Sequence, residues 1–160
     1  MRLPPLSGQP VRVEVRRSLG SHLAATFIPR RLVLLDCEVL KPGGNFERIL
    51  IHELFHFSWV RLPNTARWSW EGLLKSEFAA AARGELGWSS EWRKNKLKVS
   101  DLKRRSPAWR RYACESFCDT AAWLFSGLGA HEEFTMAARG RRRRREWFLQ
   151  NILSAPAISI

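Results

Sequence analysis

The sequence is poor in several residue types, and each shortage argues against a class of protein. Its three cysteines, an odd number in a chain of 160 residues, do not suggest a disulfide framework and favour a reducing compartment. No long uncharged apolar run is present, so no transmembrane helix is expected. Residues 1–5 lack the apolar core of a secretory signal. We therefore expect a cytoplasmic protein without a membrane span.

Acidic residues are scarce relative to basic ones, with 15 against 27 and a net charge of +12. This charge favours an acidic partner such as nucleic acid, anionic lipid or an acidic protein, although it can also simply keep a protein in solution. Hydrophobic residues make up 45% of the chain, which is enough to build a core. No repeat or internal boundary is visible, so residues 1–160 are predicted to form a single domain.

Local patterns predict a few strands followed by helices, an order that favours an α+β fold. Asn45 can cap a helix that ends before Pro63, and Ser106 before Pro107 is a typical helix start. The predicted strands cover residues 11–16, 23–28 and 32–35, and the predicted helices cover 45–62, 68–83, 106–126 and 131–151. Residues 1–10 are predicted to be an irregular arm, and residues 87–101 a loop or short helix.

Histidine is rare, yet two of the four histidines flank a glutamate at a spacing with a known chemical use. His52, Glu53 and His56 form H-E-x-x-H within an apolar run. On a helix, positions i and i+4 lie on one face, so His52 and His56 can hold one zinc ion between them. The metal would lower the pKa of its water to about 7, and Glu53 would take the proton as general base. A buried histidine pair with ordinary hydrogen bonds is the alternative.

A catalytic zinc site needs a third protein ligand, and the candidates are the downstream carboxylates and His131. Glu115 is favoured because it lies within a predicted helix that otherwise has the composition of a core segment. Asp119, one turn later on the same face, could accept the free ring N–H of a ligating histidine and fix its tautomer. Alternatively, Glu115 forms an i,i+4 surface pair with Arg111 and Asp119 is solvated.

These residues together resemble the H-E-x-x-H plus E-x-x-x-D signature of gluzincin metallopeptidases, and the small size is similar to minimal zincins of the ImmA/IrrE type. The resemblance implies a zincin-like fold, in which a small, mostly antiparallel sheet packs on an active-site helix and a second ligand-bearing helix. It implies zinc ligands at His52, His56 and Glu115, a base at Glu53 and a supporting carboxylate at Asp119. The residue before the ligand glutamate is often Asn in that group, whereas here it is Cys114.

The resemblance also implies a sheet edge that pairs with an extended peptide substrate and a hydrogen-bond donor for the transition state. Residues 32–35 or 11–15 could supply that edge. Tyr112 and His131 are candidate donors, although Tyr112 can equally be a core residue and His131 a residue at a helix start. His22 is interpreted as structural or exposed.

The cysteines are interpreted as small buried thiols. Cys114 and Cys118 lie four residues apart and could in principle bind metal, but with Glu115 and Asp119 on the same helix both pairs are not expected to face one site. Cys37 is interpreted in the same way.

The arginine-rich segment 139–145, in the predicted basic C-terminal helix, could bind nucleic-acid phosphates or be a solvated helix face. The sequence therefore predicts a zinc metallopeptidase that acts on a protein or peptide substrate. Its rival is a basic nucleic-acid-binding protein with a structural or vestigial zinc site.

Overall fold

A computed structural model describes residues 1–43 and 45–160 of the chain. The strands are β1 (Leu6–Ser7), β2 (Arg12–Arg16), β3 (Ala24–Phe27), β4 (Leu32–Asp36) and β5 (Ile158–Ser159). The helices are α1 (Phe46–Arg61), α2 (Asn64–Ala79), α3 (Trp88–Lys94), α4 (Val99–Arg104), α5 (Pro107–Phe125) and α6 (Ala138–Asn151). Helices and a small mixed sheet make this an α+β protein, as the sequence predicted.

The main sheet has the order β2–β4–β3, with β4 parallel to β2 and antiparallel to β3. A separate two-stranded sheet joins β1 and β5 in parallel. The prediction of a mostly antiparallel sheet is therefore wrong, because alternating apolar residues indicate a strand but not its direction. The prediction that residues 32–35 could form a free edge is also wrong, since β4 is paired on both sides.

Both ends of the chain are better ordered than their composition suggested. Residues 1–10 were predicted to be irregular, but Leu6–Ser7 pairs with Ile158–Ser159, and Ser7 accepts a hydrogen bond from the amide of Ile160. These long-range backbone bonds explain why a segment rich in Pro and Gly contains a strand.

The apolar face of the sheet packs against the helices through one large cluster of buried side chains. Val33 and Leu35 of β4 meet Phe55 of α1, Phe117 of α5 and Phe148 of α6 in this cluster. Since α1 and α5 pack directly against each other, the H-E-x-x-H segment lies opposite the helix that carries the predicted third ligand.

The boundaries of α1 and α5 follow local sequence signals. Helix α1 ends at Arg61, two residues before Pro63, and the hydroxyl of Ser106 accepts the amide of Trp109 at the start of α5. Asn45 is the residue immediately before α1, but its backbone is left-handed and its side chain makes no capping hydrogen bond. It contacts His131 instead, so the predicted side-chain cap is wrong.

Two other helix predictions need correction. The helix predicted over 68–83 is Asn64–Ala79. Residues 87–101, predicted to be a loop or a short helix, contain α3 and the first part of α4. The basic helix predicted over 131–151 begins only at Ala138, because Met136 donates its amide to the carbonyl of Glu85 and the hydroxyl of Thr135 accepts the Glu85 amide. These bonds fix residues 135 and 136 against Glu85, ahead of α6.

Candidate metal centre

Helices α1 and α5 bring the two predicted motifs together. Helix α1 presents His52 and His56, and α5 presents four residues that fall within an arc of about 140° on a helix of 3.6 residues per turn. These four residues are Cys114, Glu115, Cys118 and Asp119. The carboxylate pair faces His52 and the thiol pair faces His56.

His52 lies between two carboxylates. Its Nδ1 is 2.7 Å from Oδ1 of Asp119, and its Nε2 is 3.3 Å from Oε2 of Glu115. Burial alone would lower the pKa of His52, but the charge and hydrogen bond of Asp119, with help from Glu115, raise it well above its ordinary value. The ring is therefore held in one orientation by Asp119, with Nε2 directed toward Glu115.

Glu115 is fixed by groups from α3 as well as by His52. The hydroxyl of Ser89 donates to Oε2 at 2.6 Å, and Arg93 contacts Oε1 at 3.1 Å. Burial would raise the pKa of Glu115, but His52 and Ser89 outweigh it and hold the pKa at about 2. Glu115 is thus ionised at neutral pH. The alternative that Glu115 pairs with Arg111 is wrong, since Arg93 takes that place.

His56 contacts the two thiols of α5 through one ring nitrogen. Its Nδ1 is 3.4 Å from Sγ of Cys114 and 3.5 Å from Sγ of Cys118. The expectation that the thiol and carboxylate pairs could not both face one site is therefore wrong, because adjacent positions on a helix differ by only about 100°. The Cys118 thiol and His56 lower the pKa of Cys114, whereas burial raises the pKa of Cys118.

Asp119 is held in place by the segment before and at the start of α3. The amide of Ser90 donates to Oδ2 at 2.9 Å. A Cβ atom added to Gly87 would overlap the Asp119 carboxylate, so glycine at this position is what allows the close approach. Ser89, Ser90, Arg93 and Gly87 were not singled out from the sequence, where Ser–Ser after Gly–Trp indicates little more than a helix start.

Glu53 lies beside the histidines at the floor of a cleft of about 260 Å³. The hydroxyl of Thr26, on β3, donates to Oε2 of Glu53 at 2.6 Å, which fixes the direction of the carboxylate. The cleft is lined by residues 21–24, Arg48, Ile49, His52, Glu53, Trp88, Ser89, Asp119 and Glu133. His22, exposed at this rim, was interpreted as structural or exposed.

Tyr112 and His131, the two predicted transition-state donors, bond to other groups of the protein. Tyr112 is fully buried, and its hydroxyl donates to Oε1 of Glu85 at 2.6 Å, so it belongs to the core. His131 lies before α6, with Nε2 3.0 Å from the Asn45 amide nitrogen and Nδ1 accepting the Glu133 amide at 3.2 Å. Both of its ring nitrogens therefore have partners within the protein.

The donor atoms in this region can hold a metal ion. One ligand atom each from His52, His56 and Cys118 lie within 4.8 Å of one another, and Glu115 approaches His52 from the same helix as Cys118. His52, His56 and Cys118 therefore form one group of candidate ligands, and Glu115 is a carboxylate that reaches His52 from beside this group. Both donor types bind divalent transition metals.

The arginines of segment 139–145 differ in how far they are exposed to solvent. Arg144 is fully buried, Arg141 donates to the carbonyls of Phe134 and Met136, and Arg143 donates to Ser76. Only part of the segment is therefore free to act as a basic surface. Arg139, Arg142 and Arg145 are the exposed members of the segment.

Searches among known protein families, curated proteins and solved structures find nothing that matches this chain. Within residues 1–43 and 45–160, no helix combines the length and the apolarity that a membrane crossing requires.

Proposed function

We propose that this protein is a zinc-dependent metallopeptidase with a zincin-like fold. The observation that carries the proposal is the 3.3 Å separation between Nε2 of His52 and Oε2 of Glu115, with Nδ1 of His52 held by Asp119. Two tetrahedral zinc ligands at about 2.0–2.1 Å from the metal are about 3.4 Å apart. The spacing of these two donors therefore suits a zinc ion.

The protein groups around the donors also suit a cation. A metal-bound histidine commonly gives its other ring nitrogen to a carboxylate or another fixed partner. Asp119 meets this requirement for His52, and the thiols of Cys114 and Cys118 contact Nδ1 of His56. We infer that His52, His56 and Glu115 are the ligands and that Cys118 is the alternative third ligand.

In the proposed reaction, Glu53 removes a proton from water as the water attacks the peptide carbonyl, and it then carries that proton to the departing amine. The hydroxyl of Thr26 keeps the Glu53 carboxylate directed into the cleft. A bound zinc ion would acidify the water and polarise the carbonyl.

Strand β3 supports binding of an extended peptide. Among residues 1–43 and 45–160, β4 is its one strand partner, so its outer edge carries backbone groups that are free of strand partners there. Leu23 and Ala24 line the cleft beside Glu53. A substrate segment could add to this edge as a further strand. We therefore propose β3 as the strand that pairs with the substrate. The sequence had suggested residues 32–35 or 11–15 for this role.

The proposal is tested by comparing wild type with Glu53→Gln and His56→Ala. Elemental analysis after gentle purification should show about one zinc per chain in wild type and Glu53→Gln, and a strong loss in His56→Ala. Hydrolysis of fluorescently labelled casein should fall by about 10²–10⁴ in Glu53→Gln because the general base is lost.

The matched control is Glu47→Gln, an exposed glutamate in the first turn of the same helix, which should leave hydrolysis unchanged. Wild-type protein without stoichiometric zinc, or equal activity in Glu53→Gln, would refute the metallopeptidase function.

A second candidate function is binding of nucleic acid, with any metal in a structural role. The net charge of +12 and the exposed Arg139, Arg142 and Arg145 of α6 favour it. If these three arginines neutralise phosphates, log affinity for duplex DNA should fall against log salt with a slope of about −3. A slope of that size together with no peptidase activity would support this candidate over the peptidase.

A further inference from the structure

A second pocket of about 270 Å³ lies between α3 and the first turns of α5. It is lined by Trp92, Arg93, Lys96, Leu97, Ala108 and Arg111. Its lining therefore combines an indole, aliphatic side chains and three cationic groups, with no carboxylate among the lining residues.

Two exposed tryptophans connect this pocket to the cleft beside Glu53. Trp88 lines the cleft and Trp92 lines the second pocket. Their rings stack at 6.0 Å between centroids, and the two residues are 63% and 43% exposed. They are one helical turn apart, about 6 Å along α3, which an extended peptide covers in about two residues. A single peptide can therefore reach from the cleft into the pocket.

The positive charges that line the pocket favour an anionic ligand. Arg93 is engaged by Glu115 and by the carbonyl of Ser89, and Lys96 lies 3.5 Å above the ring of Trp92. Among residues 1–43 and 45–160, neither Lys96 nor Arg111 takes part in an ion pair. An anionic group placed between these two side chains would gain two cationic partners without displacing an existing one.

We propose that this pocket is a substrate subsite that binds an acidic residue next to an apolar side chain of the peptide. The carboxylate would lie against Lys96 and Arg111, and the apolar side chain against Trp92 and Leu97. This inference rests on the proposed peptidase function for its role as a subsite. The binding chemistry of the pocket itself follows from its lining alone.

A peptide fits these features better than a nucleic-acid strand does. Stacking of a base requires an accessible aromatic face, and the ammonium group of Lys96 already covers one face of Trp92. Leu97 and Ala108 complete the pocket with aliphatic surface, which suits a side chain such as leucine. Trp88, which stacks on Trp92, lines the cleft that holds Glu53, where an extended peptide can pair with β3.

The test uses the Glu53→Gln protein, with zinc and after removal of metal by a chelator, so that bound peptides stay intact. A fluorescein-labelled octapeptide with a central Asp–Leu pair is titrated by fluorescence anisotropy, alongside versions with Lys–Leu and Asp–Gly. We expect Asp–Leu to bind about tenfold more tightly than either version, because each loses one of the two interactions.

Arg111→Glu should weaken binding of the Asp–Leu peptide by about tenfold, since it places a like charge in the pocket. Arg110→Glu is the matched control: it is exposed, adjacent on α5 and changes the net charge equally, but it does not line the pocket, so it should weaken binding about twofold or less. Arg111→Gln should give a smaller loss of the same sign.

Equal weakening by Arg110→Glu and Arg111→Glu, or equal affinity for the three peptides, would overturn the subsite. Competition by single-stranded oligodeoxythymidine that is lost in Arg111→Glu would also overturn it, in favour of a nucleic-acid surface. Selective peptide binding that persists in a protein without zinc or hydrolysis would support the pocket while refuting the peptidase function. Stoichiometric zinc and hydrolysis without selective peptide binding would support the peptidase function while refuting the subsite.

Discussion

Two clusters of charged side chains contact α5, and they differ in how their charges are matched. The first is the buried ion cluster of Arg144, Lys94, Glu77 and Glu85, in which Arg144 and Glu85 are 2.6 Å apart at Nη1 and Oε2. The second is the histidine–carboxylate site of His52, Glu53, Glu115, Asp119 and His56. The two are joined by Ser90, whose hydroxyl donates to Glu85 and whose amide donates to Asp119.

The buried ion cluster is balanced within the protein. Two basic groups meet two acidic groups, and the side chains of Arg144 and Glu85 are completely inaccessible to water. Burial would raise the pKa of Glu85, but Arg144 outweighs it and holds the pKa at about 2. Each guanidinium nitrogen of Arg144 has a carboxylate partner within the protein, and the cluster joins α2, α3 and α6.

The histidine–carboxylate site is not balanced in this way. Among residues 1–43 and 45–160, three carboxylates, those of Glu53, Glu115 and Asp119, meet one guanidinium, that of Arg93. The rest of their negative charge is matched by a proton on His52, whose pKa is raised, or by a bound metal ion. The site also borders a cleft, whereas the ion cluster is sealed. An excess of acidic oxygen atoms beside two imidazoles favours a cation. Charge density alone therefore does not distinguish a candidate ligand site from a structural cluster, whereas access to a cleft does.

The largest effect should come from removing the central cation of the buried ion cluster. Arg144→Met should lower the free energy of unfolding by about 3–5 kcal/mol, because it leaves Glu77 and Glu85 buried without their main partner. Urea unfolding measures this loss. Arg145→Met, an exposed neighbour, should change stability by about 0.5 kcal/mol or less.

The zinc content of the Arg144→Met variant tests whether the two clusters are independent. Folded Arg144→Met should bind zinc as wild type does, since Arg144 contacts none of the proposed ligands. A parallel loss of zinc would show that the two clusters act as one unit, which would end the distinction between them.

Acid should lower the free energy of unfolding by slightly less than Arg144→Met does, because Glu85 becomes protonated. The folded pKa of Glu85 is lowered to about 2 from an ordinary 4.5, so its stabilisation is complete above about pH 4.5 and is lost as the pH falls toward 2. The shift corresponds to about 3 kcal/mol. Wild type and Glu85→Gln should therefore differ most in free energy of unfolding near pH 6, and the difference should shrink as the pH falls.

A difference that stays constant from pH 6 to the acid limit of the folded state would contradict this assignment. It would mean that another group, and not Glu85, carries the charge that Arg144 stabilises.

The sequence predicted the elements of the histidine–carboxylate site better than it predicted the ion cluster. H-E-x-x-H is a local pattern, and Pro63 and Ser106 fix helix ends through contacts within a few residues. The burial of Arg144 depends on Glu77 and Glu85, 67 and 59 residues away. Nothing within a run of five arginines indicates which one is buried.

The same reason explains which contacts the sequence did not predict around the candidate metal centre. The meeting of His56 with Cys114 and Cys118 spans about 60 residues, and it depends on the rotation of α5 about its axis. Helical periodicity gives the relative positions of Cys114 and Glu115 but not the direction that either faces. The central position of β4 was missed because strand order is a tertiary property.

The smallest effect tests how the histidine–carboxylate site is supported from α3. Gly87→Ala should push the Asp119 carboxylate away from Nδ1 of His52, because the added Cβ would overlap it. Loss of an outer hydrogen-bond partner typically lowers metal affinity by 10–100-fold, and a displaced partner should give about tenfold. Competition with a chromophoric chelator measures the zinc affinity. Gly129→Ala, where a Cβ would meet open space, is the control and should bind zinc as wild type does. Unchanged affinity in Gly87→Ala would mean that Asp119 does not orient His52 for a metal, and the site would then resemble the ion cluster, a set of charges that stabilises the fold without a cation.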